Sequence, residues 1–314
     1  MTTNDERMMR LAVDTACTAR LRSRPNPWVG AVVVAQNGEV FTGATLEPGN
    51  AHAEIVALNA AAHHAQGSTL FSTLEPCNHT GRTGPCTQAI IDAGVSRVVV
   101  GTLDPDSKVS GSGVQQLRDA GLTVDVGVLE QEVKQQLAAY LHHRATGRPF
   151  VVLKMASTID GRIAATDGSS KWITGETARK RVHQLRAESD AIVVGAGTVR
   201  ADDPSLTVRD ADGPSPRRIV LGTIDASAKV HPCTQWTGTL PDLLDTLGKE
   251  GVVQLLVEGG ARVAASFHRE RLINQYIMHI APVIAGGDDA AGVFVGPAAS
   301  TMADMWRGRI VSTT

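Results

Sequence analysis

His52, Glu54, Cys77 and Cys86 are the residues of this chain whose types and spacing most directly suggest chemistry. One imidazole and two thiolates make a ligand set that suits zinc and leaves its fourth position open for water. Ala51-His52-Ala53-Glu54 reads as the opening of a helix, and Glu75-Pro76-Cys77 closes a strand, with Cys86 starting the next helix. At a helix N-terminus the unpaired N–H groups and the dipole favour thiolate over thiol. Glu54, two residues past His52, can reach the open position without being a ligand. There it can take a proton from water and deliver it to a ring nitrogen and then to departing ammonia. A closed structural site needs a fourth ligand, for which His79 is available, but such a site has no use for Glu54.

The arrangement is the His-x-Glu … Pro-Cys pattern of zinc-dependent nucleobase deaminases. Eight residues, Asn78 to Pro85, separate the two cysteines where the common form has two. By itself this insert reads as a loop beside the metal that alters substrate choice more than chemistry. The same segment resembles the family of bifunctional riboflavin-biosynthesis deaminase/reductases (RibD/RibG type). The resemblance is carried by Pro25-Asn26-Pro27-Trp28-Val29-Gly30, by His52-Ala53-Glu54, and by the run from Glu75 through Cys77-Asn78-His79-Thr80-Gly81-Arg82 to Cys86. The long cysteine spacing is that family's own form. It implies that Asn26, His79 and Arg82 line a pyrimidine and its ribose phosphate. Asp104-Pro105-Asp106 resembles a family loop in which Asn stands where this chain has Asp106, an unfavourable charge beside a phosphorylated ligand.

The elements that must position these residues follow from the local pattern. Residues 4–21 read as a helix with Asn4 as N-cap and acids in its first turn. Residues 29–35 and 40–44 are β-rich and flank Gln36-Asn37-Gly38-Glu39, a hairpin signal. An alanine-rich helix is expected over 52–65 and a strand over 69–74. Helices near 86–93 and 111–120 alternate with strands at 97–101 and 122–126, and a further helix over 130–145 stops at Thr146-Gly147-Arg148-Pro149. That stop marks the expected boundary between domains 1–147 and 148–314. Beyond it come strands at 150–155, 191–194, 218–221, 252–257 and 275–281, with helices at 175–188 and 260–269. The halves share no repeat, so the reading is two α/β domains.

In the second half, Val193-Val194-Gly195-Ala196-Gly197-Thr198 follows a strand, but Arg200 breaks the Gly-x-Gly-x-x-Gly fingerprint. Leu256-Val257-Glu258-Gly259-Gly260 repeats the strand-then-glycine arrangement ahead of a helix start that can cradle phosphate. This half also resembles the same family's reductase, through Lys154-Met155-Ala156-Ser157-Thr158-Ile159-Asp160-Gly161-Arg162, Ser170-Lys171-Trp172-Ile173-Thr174, the run Ala201 to Arg209, and Val257-Glu258-Gly259-Gly260. The resemblance implies a cytidine-deaminase-like α/β/α sandwich joined to a dihydrofolate-reductase-like α/β domain that uses NADPH. It implies contact with NADPH for Ala156, Trp172, Thr198 and Asp202 and for the turn Gly260, Ala261, Arg262, Val263, Ala264, Ala265 and Ser266. Ser170, Arg186, Leu206, Arg209 and Glu258 are implied in contact with the sugar phosphate, and guanidinium forks at Arg186 and Arg209 suit a phosphomonoester. The resemblance also implies Lys154 and Asp160 near the ribose carbonyl. Two departures stand out: the stretch between Val230 and Gly251 is short, and relatives usually continue past Ser312-Thr313-Thr314 into a last strand, whose loss exposes a sheet edge.

Composition bounds the rest. The 314 residues are 42% apolar and carry a net charge of −2, which gives no global attraction to nucleic acid or anionic membrane. With 4% aromatic residues the chain lacks the stacking surface a nucleic-acid deaminase uses. That alternative, with a non-catalytic C-terminal domain, ranks second, and a catalytically dead zinc scaffold is set against by Glu54. The start, Asn4-Asp5-Glu6-Arg7, is neither signal nor transit sequence, and no apolar run approaches the roughly 18 residues of a membrane helix. Four cysteines, two of them beside a histidine, suit a reducing cytoplasm. Small phosphorylated pyrimidines are the expected partners, with zinc and NADPH as cofactors and a homo-oligomer, dimer or tetramer, as the expected assembly.

Overall fold

The computed structural model describes residues 3–79, 84–106 and 110–313. Helix α1 (Asn4–Cys17) opens the chain, and its N-cap is Thr3 rather than Asn4. Thr3 and Glu6 form a reciprocal capping box that satisfies two N–H groups at once. The helix stops at Cys17, short of 21, where the chain passes into successive turns. Strands β1 (Gly30–Val34) and β2 (Val40–Ala44) form the hairpin that Asn37-Gly38 announced, with Val34 opposite Val40. α2 (Ala53–Ala61) gives way to one 3₁₀ turn at Ala62, whose φ of 48° ends the α-helix. β3 (Thr69–Leu74), α3 (Cys86–Asp92), β4 (Arg97–Thr102), α4 (Ser112–Asp119) and β5 (Thr123–Val126) follow in the expected alternation. The single helix expected over 130–145 is two, α5 (Glu130–Gln136) and α6 (Ala138–Thr146). They meet at Leu137, which is buried along with Val133 and Tyr140.

The strands make one sheet in the order β2-β1-β3-β4-β5. β1 runs antiparallel to both neighbours, while β3, β4 and β5 are parallel. Its core joins Met9 and Ala12 of α1, Ala57 of α2, and Phe71, Val99 and Leu117. Gly147, with φ 72°, caps α6 in the left-handed conformation that glycine adopts freely.

A second sheet follows, made of β6 (Phe150–Thr158), β7 (Ala191–Gly195), β8 (Arg217–Leu221), β9 (Thr234–Trp236), β10 (Gln254–Val257) and β11 (Gln275–Ala281). It is wholly parallel, in the order β11-β6-β10-β7-β8-β9. Continuous apolar runs such as Ala191 to Val194 suit strands covered on both faces. One face packs Leu153, Val193, Leu255 and Phe267, and the other Val152, Ile192, Val194 and Leu256. Helices α7 (Glu176–Ala187), α8 (Ala196–Asp202), α9 (Leu240–Lys249) and α10 (Ala261–Arg269) complete this half. The short stretch from Val230 to Gly251 therefore still holds β9 and α9, which the sequence pattern left unassigned. Among the described residues no strand follows β11, and Ile280 on that edge strand is 64% exposed.

Candidate functional site

Register places three loops at one end of the first sheet. Gly30 opens β1 opposite Ala44, the last residue of β2. Ala31 faces Ser72 near the end of β3, and Gly30 N–H donates to Thr73 Oγ1. Residues 23–29, 45–52, 75–79 and 84–86 therefore converge there. Gly43 lets β2 lie directly on the start of α2, since a Cβ at that position falls 2.3 Å from Ala53 O and 2.4 Å from Ala57 N. His52 is the N-cap of α2, and Cys86 is the first residue of α3.

His52 Nδ1 lies 3.5 Å from Cys77 Sγ and 3.3 Å from Cys86 Sγ, and the three ligand atoms all fall within 4.8 Å of one another. Tetrahedral zinc, with bonds near 2.05 Å to nitrogen and 2.3 Å to sulfur, sets nitrogen and sulfur about 3.6 Å apart. The donor set fits the ion. Protonation fits it too: the Cys77 thiol is pushed down to about 4, chiefly by the hydrogen bond from the Cys86 side chain, and by His52 and Cys86 N–H as well. Cys86, the donor in that pair and itself buried, is pushed up, and His52 is raised by Cys77. A dication bound by these sulfurs would displace the thiol proton that remains. Glu54 is buried, and burial pushes its carboxyl up to about 7 against the opposing influence of His52. A proton carrier works best with a pKa near the operating pH.

Glu75 holds this end of the sheet together, a role that sequence reasoning missed. Its carboxylate is buried. Oε2 accepts from Asp104 N (3.2 Å) and Gly111 N (3.0 Å), and Oε1 from Gly113 N (3.0 Å) and Val114 N (3.2 Å). The loop after β4 and the start of α4 are thereby drawn against Glu75-Pro76-Cys77. Asp104 Oδ2 accepts from the buried Tyr140 hydroxyl (2.9 Å). Asp106 has Arg144 at 4.0 Å, a cation that offsets the charge that made this loop look unfavourable. His79 is exposed and stands outside the His52–Cys77–Cys86 group among the described residues, which leaves the fourth position open. Asn26 is half-buried in the loop before β1, at the same sheet end. Arg82 lies outside the described residues.

In the second sheet the register sets Leu153 beside Val257, so Lys154 and Glu258 follow side by side at the ends of their strands. Arg186 forks onto Glu258, Nε to Oε1 at 2.7 Å and Nη2 to Oε2 at 2.9 Å, and its Nη1 reaches Thr207 O. The pair leaves Arg186 less free to clasp phosphate than its sequence context implied. Arg209, bonded through Nη1 to Ser205 Oγ, keeps most of its guanidinium open. Leu206 is buried, with φ 54°. Ser170 is half-buried, and its carbonyl accepts from Ile173 N.

The two glycine turns meet. A Cβ on Gly260 would sit 3.3 Å from Thr198 Oγ1, and one on Gly195 2.8 Å from Val263 Cγ2. The N–H groups of the first turn of α10 lack intrahelical acceptors, a fit for the pyrophosphate of a dinucleotide. Gly260, Arg262, Val263 and Ser266 are accessible there, whereas Ala261, Ala264 and Ala265 are buried in the core. Trp172 is 72% exposed under the Arg179 guanidinium, 4.7 Å from the ring centre. Ala156 lies on β6 beside His279 of β11, and Asp202 closes α8 on the surface.

Fold and sites define a zinc-dependent hydrolytic deaminase joined in one chain to an α/β reductase. Residues 2–102 match the cytidine and deoxycytidylate deaminase zinc-binding region, and residues 149–307 the RibD C-terminal domain. Riboflavin biosynthesis protein RibD of Aquifex aeolicus is 41% identical, across 90% of this chain and 88% of that protein. Its Mycobacterium tuberculosis counterpart is 40% identical, across 95% and 91%. The structure of Acinetobacter baumannii RibD superposes with a TM-score of 0.90 at 35% identity, covering 98% of this chain and 94% of that one. The Thermotoga maritima diaminohydroxyphosphoribosylaminopyrimidine deaminase/5-amino-6-(5-phosphoribosylamino)uracil reductase does so at 0.83 and 34%, covering 95% and 92%. The chain belongs to the RibD family. It is a bifunctional enzyme of riboflavin biosynthesis, a deaminase and a reductase whose cofactors are zinc and NADPH.

Proposed function

We propose that residues 1–147 hydrolyse the 2-amino group of 2,5-diamino-6-ribosylamino-4(3H)-pyrimidinone 5′-phosphate, releasing ammonia. Residues 148–314 then reduce the ribosyl group of 5-amino-6-(5-phosphoribosylamino)uracil to ribityl with NADPH. The observation that carries the first step is the buried Glu54, two residues from one of three converged ligands that leave a fourth position open. His52, Cys77 and Cys86 would hold zinc, which would supply Lewis acidity that makes water nucleophilic at neutral pH. Glu54 accepts a proton from the water that adds to the pyrimidine carbon and passes it to the ring nitrogen, then carries the new hydroxyl's proton to the leaving amine as the carbonyl forms and ammonia departs. Asn26, His79 and Arg82 orient the ring and its phosphate. For the second step, the Gly260 turn, Thr198 and Trp172 position the nicotinamide donor. Lys154, Arg186, Arg209 and Glu258 orient the sugar phosphate so that the carbonyl carbon meets it at reacting distance.

Four unpaired cysteines support a cytoplasmic setting. No helix among the described residues is long and apolar enough to cross a membrane. The open edge of β11, with Met278 and Ile280 exposed, supports a homo-oligomer. Glu54→Gln tests the mechanism. It is expected to cut ammonia release by about 10² to 10⁴-fold while bound zinc and reduction of separately supplied uracil intermediate stay at wild-type level. Ammonia release that survives the substitution removes Glu54 from the proton path.

A further inference from the structure

The turn that carries Asn26 is gripped from the other half of the chain. Arg24 Nη1 donates to Asp190 Oδ1 at 3.1 Å, and its Nη2 donates to Ala187 O. Arg20 lies 2.9 Å from Glu188 Oε2 as a charge contact that is not aligned along an N–H bond, and its guanidinium stacks 4.7 Å from the centre of Trp28. Two arginines thus bracket Pro25-Asn26-Pro27-Trp28, and both end on residues 187–190. Inside the turn, the buried Ser23 ties the loop to itself: Asn26 N donates to Ser23 O at 2.8 Å, and Ser23 Oγ donates to Asn26 O at 3.2 Å.

The receiving corner is rigid. Asp190 sits between α7 and β7, and its Oδ2 accepts from both Val253 N and Gln254 N at 2.9 Å. Its backbone N–H bonds to Gln254 O, and its carbonyl accepts from Arg217 N. Gln254 Nε2 donates to Ser189 Oγ, which itself bonds back to Leu185 O. One residue before Ala187 is Arg186, the partner of Glu258. The side chains of the Arg24–Asp190 pair are 20% and 21% exposed. At that burial a charge pair is partly shielded from screening and outweighs a surface one.

We propose that the 187–190 corner of the reductase half, through Arg24 and Arg20, holds the Asn26 turn in the position that receives the pyrimidine. Deaminase affinity then depends on the second domain although deaminase chemistry does not. Arg24 and Arg20 are positioning residues. The inference rests on the reading of Asn26 as a substrate contact.

Steady-state deamination by the full-length, zinc-loaded chain tests it. Arg24→Gln is expected to raise KM for the diaminopyrimidine roughly three- to tenfold, in the lower part of the range of coupling between contacting groups, with kcat and zinc content at wild-type level. Arg24→Lys recovers part of the loss. Asp190→Asn, placed in the other half, raises the same KM, and the double variant adds nothing further. A parallel cycle of Arg20→Gln with Glu188→Gln keeps the test decisive should Arg24→Gln fail to fold. Unchanged KM in both cycles, additive effects, or a fall in kcat at constant KM overturns the proposal. Wild-type protein that turns over the pyrimidine but whose variants show no KM effect refutes the grip alone. Wild-type protein that does not turn it over refutes the functional reading and the grip with it.

Discussion

Replacing Glu75 with glutamine isolates what the buried carboxylate contributes. Each of its oxygens accepts two backbone N–H groups, from Asp104 and Gly111 on one side and from Gly113 and Val114 on the other. Glutamine keeps one oxygen and turns the other into a donor, so two buried N–H groups face an NH₂ whichever way the amide flips. An unsatisfied buried donor costs about 1–3 kcal/mol, so the change costs roughly 2–6 kcal/mol. Against a typical domain stability of about 5–15 kcal/mol, the first half is left marginal. At about 2–4 °C per kcal/mol its melting midpoint falls by roughly 10 °C. The loosened segment packs on Pro76, next to Cys77, so zinc affinity falls about 10–100-fold, as for loss of a residue that supports a ligand. The assay is a thermal melt of the full chain paired with zinc competition against a chelator, with NADPH-dependent reduction followed as an internal control because the second sheet has its own core. A Glu75→Gln protein that melts and holds zinc like wild type shows that these four hydrogen bonds do not hold the metal end of the sheet.

Three other outcomes follow from the same structure. Gly113→Ala places a Cβ 2.1 Å from Pro76 O, so backbone must move by about 1 Å to reach ordinary contact. An overpacking cost of about 1–3 kcal/mol and weaker zinc retention are expected, both read by the same melt and competition. Arg186→Met strands the largely buried Glu258 and destabilises the second half by about 3–5 kcal/mol, measured by denaturant unfolding. Burial raises the Glu258 carboxyl, but the Arg186 charge and hydrogen bond prevail and hold it below its ordinary value. A depressed folded pKa stabilises above the unfolded value of about 4.3 and loses that contribution as pH falls through the folded one. Acid unfolding of the second half is expected to steepen below about pH 4.3, and Glu258→Gln to flatten that step; an unaltered profile in the variant removes Glu258 from the acid response.

The metal ligands were legible because a His-x-Glu pair and a Pro-Cys pair each sit where a helix or strand must end, and ends are marked locally. The Asn37-Gly38 hairpin was legible for the same reason. Glu75 was not, since its four donors lie 29 to 39 residues downstream and only the β3–β4 crossover brings them round. Arg20 and Arg24 carried no signal in the sequence, because their partners are more than 160 residues away. Other misses had signals in the sequence. Thr3 and Glu6 spell a capping box, and Thr239, Pro241 and Asp242 mark the start of α9, where Thr239 accepts from Asp242 N. The break at Leu137 had none, since apolar spacing continues across it from Val133 to Tyr140. In the second half, glycine turns signalled a nucleotide-binding sheet, but the Arg186–Glu258 fork depended on the β6–β10–β7 register, which no local pattern shows.

One chain carries both the hydrolytic deaminase and the reductase. Zinc-loaded full-length protein supplied with the diaminopyrimidine ribosyl phosphate is expected to release one equivalent of ammonia without NADPH. On addition of NADPH it is expected to oxidise one equivalent of cofactor for each ammonia already released. Ammonia release without subsequent NADPH oxidation, or NADPH oxidation with no prior ammonia, would mean that this chain does not run deamination and then reduction.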